Sequence, residues 1–333
     1  MANRPRSKPE TKTNALLSAL QFLQAVTKEA GAVYETHCIL YNKWATAYNG
    51  ILSAGHAIED DLFACPNNSM LVKALAKCGE NFSLTQLDVG RLQVKSDKFK
   101  AIVKCIEAIQ LTPGFPDPPQ YDINDSLKEA LIAVGVLANE NAQDIVGASI
   151  YLSNGSVIAT DKRAIFEYWH GLVLPYGVSI PVHIVDCLAK TKKQLARLGC
   201  SNNSVTFYFN DGSWIKTQLY AEPWPDTGRI LNQKSSLVPI PADFFKGLEA
   251  VEPFASEGMV YFDAGVLRSH PETGVGASYD LPGLPAGPVF STRLLALIKP
   301  HAKMVDFTAN GGTMLTFQGD AIRGVIAGMG KRQ

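Results

Sequence analysis

The chain has 333 residues, with 31 Lys and Arg against 31 Asp and Glu, 46% hydrophobic and 19% charged. That length suits two or three domains, each with its own core, and the ordinary balance of apolar and charged residues excludes general disorder. The 27 Gly and 19 Pro are non-periodic, which excludes a collagen-like repeat, and zero net charge excludes a uniformly basic nucleic-acid binder while leaving one that segregates its charges.

The polar start carries Arg4, Arg6, Lys8 and Lys12 against Glu10, so residues 1–12 read as a disordered basic tail and not a secretory signal. The first periodic segment, residues 14–31, places Leu16, Leu20, Leu23 and Val26 on one helical face, with Asn14 as cap and Gly31 as stop. Strand-like VYETHCILY, WATAY and ILSAGHAIE follow, the last two joined at Asn49-Gly50. A helix over 67–79 leads to FSLTQL, a turn at Asp88-Val89-Gly90, RLQVKS and KFKAIVKCIE. LTPGFPDPPQYD, with four prolines, is a linker.

The order then repeats. Residues 123–139 are helical, GASIYLS and SVIATD flank Asn154-Gly155, and AIFEYWHGLVL is extended. A second helix spans 181–199, and SVTFYFN and SWIKTQLY make a hairpin around Asp211-Gly212. After the connector AEPWPDTGRILNQKSSLVPIP the order appears a third time. IPADFFKGLEAV is helical, GMVYFDAGVLRSH is a hairpin at Ala264-Gly265, VFSTRLLALIKPHA is helical, and MVDFTA and TMLTFQ flank Asn310-Gly311-Gly312 before AIRGVIAGM. Gly90, Gly212 and Gly312 stand at matching points of the three rounds, 122 and 100 residues apart. A period this long means tandem domains, expected over 13–112, 121–228 and 235–333, and not a solenoid.

Six cysteines (Cys38, Cys65, Cys78, Cys105, Cys187, Cys200) show neither a CxxC pair nor a disulfide framework, and read as buried thiols of a cytosolic protein. No apolar run is long enough to span a membrane. His37, His56, His170, His183, His270 and His301 are scattered without zinc spacing, and no metal or other cofactor is expected. GVGAS at Gly274 lacks the strand and helix of a dinucleotide loop, and there is no GxxxxGK[ST] and no G-x-S-x-G. Asp125 with Glu129, and Glu59 beside Asp60 and Asp61, read as a helix start and a solvated turn. No catalytic residue is assigned, and the chain is not expected to be an enzyme.

Helix–hairpin units, two per domain in three domains, resemble the bacterial DNA polymerase III beta sliding clamp from about Asn14 to Met329. ATAYNG and DVGRLQVKSDKFKAIV are similar to the family's "TA-D-G" strand and "dgrLxIxS" hairpin. SNGSVIATDKRAI resembles "g-LxxVATDGHRLA", and EPWPDTGRIL resembles "G-FPDYRRVLP". The departures, Lys162-Arg163-Ala164 for Gly-His-Arg and Pro225-Asp226-Thr227 for PDY, fit a divergent phage or plasmid-borne clamp. The resemblance implies an α+β fold of three clamp domains, helices lining a ring and sheets outside. It implies a homodimer around duplex DNA in the cytoplasm (of the host, if phage-encoded) that tethers a DNA polymerase and meets a clamp loader through short peptides.

Charge on the second helix of each round suits that role. Residues 67–79 carry +2 through Lys73 and Lys77; residues 182–198 carry +3 through Lys190, Lys192, Lys193 and Arg197 against Asp186; residues 290–303 carry +3 through Arg293, Lys299 and Lys303. These are the expected DNA-facing residues, although cations late in a helix also complement its dipole. The resemblance implies a partner groove of Ile145, Thr160, Lys162, Ile165, Pro181, Val185, Ile326 and Met329; for Ile145, Ile165 and Val185 plain core packing is the other reading. It implies ring closure near Phe99 and Ala101 on one side and Val251 and Phe254 on the other. Two further readings stay open: a phage structural or assembly protein, and a clamp-fold decoy of the replication machinery.

Overall fold

The computed structural model describes residues 12–78, 81–107, 114–174, 177–255 and 257–330, so of the basic tail only Lys12 is seen, and the expected stop at Gly79 lies outside the described residues. Helical spacing of Leu16, Leu20 and Leu23 yields α1 (Lys12–Leu23), which buries all three. It ends well before Gly31, where the Thr27 hydroxyl donates to the Leu23 carbonyl and Val26 closes a turn on Leu23. The stretch expected as the first strand opens on a single helical turn, α2 (Val33–Thr36), because the Glu35 carboxylate reaches back to accept the Ala32 N–H at 2.9 Å.

β1 (Cys38–Tyr41), β2 (Trp44–Tyr48) and β3 (Leu52–Ala57) follow, with the Asn49 side chain accepting the Ile51 and Leu52 amides in the turn. The Asn67 side chain accepts the Met70 amide and so caps α3 (Asn68–Leu75). Next come β4 (Ser83–Asp88), β5 (Arg91–Ser96), β6 (Phe99–Lys104), β7 (Tyr121–Asp122), α4 (Asp125–Gly135), α5 (Ile145–Ala148), β8 (Ser149–Leu152), β9 (Ser156–Thr160), β10 (Ala164–Trp169) and β11 (Val178–Pro181). α6 (His183–Lys190) precedes β12 (Leu195–Cys200), β13 (Ser204–Phe209) and β14 (Trp214–Gln218). The final third holds α7 (Gly228–Leu231), β15 (Val238–Pro239), α8 (Phe244–Val251), β16 (Met259–Asp263), β17 (Val266–Arg268), β18 (Ser278–Asp280), β19 (Val289–Ser291), α9 (Thr292–Ile298), β20 (Met304–Asp306), α10 (Ala309–Gly312), β21 (Met314–Gln318) and β22 (Ile322–Ala327).

The helix expected over 181–199 is corrected: only His183–Lys190 is helical, and Leu195–Cys200 is a strand. LARLGC has helix-compatible residues, but pairing with SVTFYF from Leu195↔Phe209 to Cys200↔Val205 overrides local propensity.

The chain folds as two compact units, Met1–Lys128 with His183–Leu219, and Glu129–Val182 with Tyr220–Gln333. The first is built on a seven-stranded sheet, β1-β2-β3-β14-β13-β12-β7, and a three-stranded one, β4-β5-β6. Strands distant in sequence meet where β3 pairs with β14, Gly55 opposite Trp214. A Cβ on Gly55 would lie 2.4 Å from the indole, so the glycine is what lets that ring lie across the strand. The proline-rich connector is tied to this sheet by Asp117, which is buried and accepts from Ser204 Oγ, Thr206 Oγ1 and Lys216 Nζ. Tyr208 Oη donates to its carbonyl. Gly199 permits the approach, since a Cβ there would sit 2.5 Å from the Asp117 carbonyl oxygen.

The second unit is built on an eight-stranded sheet, β11-β8-β9-β10-β22-β21-β20-β15, and a four-stranded one, β18-β17-β16-β19. Phe166 and Phe317 meet edge to face at 4.9 Å in the first. Phe244, Phe262 and Phe307 form a ring cluster at 5.0–6.1 Å, joined by Phe290 through Phe262. None of the six cysteines is joined in a disulfide, and five are buried. Among the described residues no helix is long and apolar enough to cross a membrane, and no cluster of three His, Cys, Asp or Glu could hold a metal.

Candidate functional site

β9 ends at Thr160 and β10 begins at Ala164, and the turn between them is held by side chains. Thr160 Oγ1 donates to the Ala164 carbonyl at 2.6 Å and accepts the Lys162 amide at 3.0 Å. Asp161 Oδ1 accepts the amides of Arg163 and Ala164 at 3.0 and 2.7 Å. Lys162 is left-handed, φ 68°, at the position where the clamp motif carries glycine. A side chain there costs about 1 kcal/mol, and an ion pair from Lys162 Nζ to Asp144 Oδ2 at 2.8 Å works against that strain. Asp144 also caps α5 through the Gly147 amide, and the Lys162 ammonium followed by that amide holds its carboxyl below the usual range.

Beside this turn lies a pocket of about 430 Å³. Thr160, Lys162, Ile165, Val146, Val325 and Met314 line it, and the connector adds Pro225, Asp226, Thr227 and Ile230. Its floor is a buried cluster of Ile158, Ile165, Leu231 and Val325, and Tyr151 and Trp224, stacked on each other at 5.4 Å, pack against that cluster. The pocket can take one or two apolar side chains with charge at its rim.

Of the expected groove residues, Thr160, Lys162 and Ile165 line this pocket. Ile145 is half-buried next to the lining Val146, and Ile326 is fully buried while its neighbours Val325 and Ala327 face the cavity. Pro181 is buried at the end of β11, and Met329 is fixed beyond β22 by its amide on the Val289 carbonyl. Val185 is core of the first unit, on α6. The wall that the sequence does not reveal is Pro225, Asp226, Thr227 and Ile230, in the connector whose EPWPDTGRIL resembles a clamp motif.

The expected DNA-facing residues fall into two groups. Lys77, Lys190 and Lys192 are exposed and make no ion pair among the described residues. Lys73 pairs with Glu29, Arg293 with Asp161, Lys299 with Glu249, Lys303 with Asp320 and, at 3.8 Å, Arg197 with Asp122. Arg197 stands on β12 and Lys192 and Lys193 on the preceding loop, which corrects their expected place on a helix. Lys193 is the most committed. Its Nζ lies 2.5 Å from Asp211 Oδ2 and 3.1 Å from Ser213 Oγ, 4.4 Å above the Phe22 ring, and its side chain is 20% exposed. Burial pushes the Asp211 carboxyl up, but Lys193 and Ser213 outweigh it and hold it down at about 2. The +8 counted on three helices is thus largely matched by carboxylates that the sequence places far away.

Of the expected ring-closing residues, Phe99 and Ala101 lie half-buried on β6, an edge strand, and Phe254 is 60% exposed. Val251 is fully buried, so it is core and presents no surface.

No protein-family model matches the chain, and no curated protein matches its sequence. Solved structures do match. A DNA polymerase sliding clamp from Pseudomonas aeruginosa agrees at TM-score 0.79 and 12% identity, over 96% of this chain and 98% of that one. The C. crescentus beta sliding clamp agrees at 0.79 and 15%, with the same coverage. A Helicobacter pylori beta clamp bound to a DNA ligase peptide agrees at 0.76 and 13%, again over 96% and 98%. The chain therefore has the α+β fold of the bacterial beta sliding clamp along 96% of its length, at low sequence identity.

Proposed function

We propose that this protein is a DNA sliding clamp, a processivity factor in which two copies close a ring on duplex DNA and tether a polymerase. Each copy contributes the three tandem domains read from the repeat, 13–112, 121–228 and 235–333. The clamp loader and the polymerase engage the apolar pocket beside Asp161–Ala164 with short peptides. What carries the reading is the coincidence of the clamp fold over 96% of the chain with a built pocket at the ATDKRA turn. Of the nine expected cations, Lys77, Lys190 and Lys192 are the ones left without an ion pair among the described residues and offered to phosphates, which suits contact without sequence readout. Ring closure uses β6, with Phe99 and Ala101, and the surface at Phe254. The role requires no catalytic residue, metal or cofactor, and places the protein in the cytoplasm, the host's if phage-borne.

Light scattering across a dilution series tests closure, with a stable species at twice the chain mass expected. Retention on closed circular DNA, lost when the circle is linearised, tests encirclement. A strict monomer with equal retention on both DNA forms would overturn the proposal. A second reading, a clamp-fold protein acting on replication partners without DNA in its ring, is favoured by the ion pairing of six of the nine expected DNA-facing cations. Salt-insensitive or absent binding to short duplexes would select it.

A further inference from the structure

Next to the apolar pocket lies a second cleft of about 450 Å³, lined by Val136, Leu137, Ala138, Asn139, Asp161, Arg163 and Arg293. Arg163 lines both cavities. Its backbone is fixed on both sides: the amide donates to Asp161, and the carbonyl accepts the Ala327 amide at 2.7 Å. Its guanidinium is exposed and makes no ion pair among the described residues. Every other charge at this border is engaged. Lys162 is held by Asp144. Asp161 accepts two amides on one oxygen and Arg293 Nη2, at 2.6 Å, on the other. The charged lining of the cleft is therefore two guanidiniums against one saturated carboxylate, with Arg163 as the unspent cation.

We propose that Arg163 makes this site selective for an acidic peptide: an apolar side chain fills the pocket, and an Asp or Glu side chain close to it in sequence enters the adjoining cleft against Arg163, with Arg293 beside it. The inference rests on the peptide-groove reading above and names the chemistry of its ligand. The argument is charge complementarity. A guanidinium meets a carboxylate through two parallel hydrogen bonds, and a partly enclosed cleft screens the pair less than open solvent does. Lys162, although it is the more obvious departure from the glycine of the motif, is already neutralised and sets no preference.

The test uses fluorescence anisotropy with short labelled peptides, amidated at the C-terminus so that no terminal carboxylate is present. All share one Leu-Phe pair and differ by Asp, Asn or Lys at one flanking position at a time. At the preferred position the Asp peptide is expected to bind about tenfold tighter than its Asn twin, and the gap to narrow as salt rises. Arg163→Gln is expected to shrink the gap to under about threefold while leaving the Asn peptide's affinity little changed. Lys234→Gln, an exposed cation outside both cavities, controls for net charge and should preserve the gap. Equal binding of Asp and Asn peptides, or a gap untouched by Arg163→Gln, overturns this inference while the groove stands. No binding by any peptide of the set overturns the groove reading and this inference together.

Discussion

Lys192→Glu and Lys193→Glu reverse adjacent charges on one loop, and their costs are expected to differ widely. The Lys192 side chain is exposed without an ion pair, so its reversal should shift stability by no more than about 0.5 kcal/mol. Lys193 is bound to Asp211 and Ser213 and lies over Phe22, with side chains 20% and 38% exposed in the ion pair. That geometry stands between an exposed pair, worth about 0–1 kcal/mol, and a buried one, worth about 3–5 when broken. Removing the ammonium should cost about 2 kcal/mol, and a second carboxylate facing Asp211 raises this to about 3. Urea unfolding reads it as a fall in midpoint of about 1 M or more. Hydrogen exchange at the β13 and β14 amides assigns the loss to the first unit. Lys193→Glu with Asp211→Lys should recover at least about 1 kcal/mol of coupling. Equal midpoints for the two single variants, or no recovery in the swap, would refute the structural role of Lys193. The practical consequence is that a DNA-retention experiment should reverse Lys77, Lys190 and Lys192 and leave Lys193 alone.

Three further outcomes are expected. Asp211 titrates at about 2 in the folded chain against an ordinary 3.8, so its stabilisation is complete above about pH 4 and is lost as pH falls towards 2. Allowing for its exposure this is about 1 kcal/mol, and acid unfolding midpoints of wild type and Lys193→Met should converge over that range. Asp117→Ala strips the acceptor from Ser204, Thr206 and Lys216 and should cost about 3 kcal/mol by urea titration, with proteolysis increasing at Gly114–Gln120; unchanged cleavage there would sink the idea that Asp117 ties the connector down. Gly199→Ala drives a Cβ against the Asp117 and Pro118 carbonyl oxygens at 2.5 and 2.6 Å, should cost about 3 kcal/mol, and should be less than additive with Asp117→Ala because both release the same connector.

The sequence carried what depends on local chemistry. Asn49-Gly50, Asn154-Gly155 and Asp211-Gly212 announce their hairpins because a tight turn needs a left-handed residue, and Gly50, Gly155 and Gly212 all have positive φ. The buried stripe of α1 was legible for the same kind of reason. What depends on long-range pairing was not. Residues 195–200 became a strand only because β13 offered them a ladder. Val251 was read as surface, although α8 turns it wholly inward. Pro225, Asp226, Thr227 and Ile230 line the pocket together with residues of β10 and β22, which neither spacing nor composition reveals.

Charge shows the same limit more sharply. Counting cations on helices is a sound first estimate of a field, but the field belongs to the folded neighbourhood. Arg293 meets a carboxylate 132 residues away and Lys299 one 50 residues away, so neither partner appears in a window around its helix. Of the nine cations expected to face DNA, Lys77, Lys190 and Lys192 are left without an ion pair among the described residues, and at the pocket Arg163 is left likewise. On the proposed reading the paired cations serve the fold, while Lys77, Lys190 and Lys192 are the ones to test against DNA and Arg163 the one to test against peptide. If Lys77, Lys190 and Lys192 are replaced together and retention on circular DNA does not change, that division of the charges is wrong.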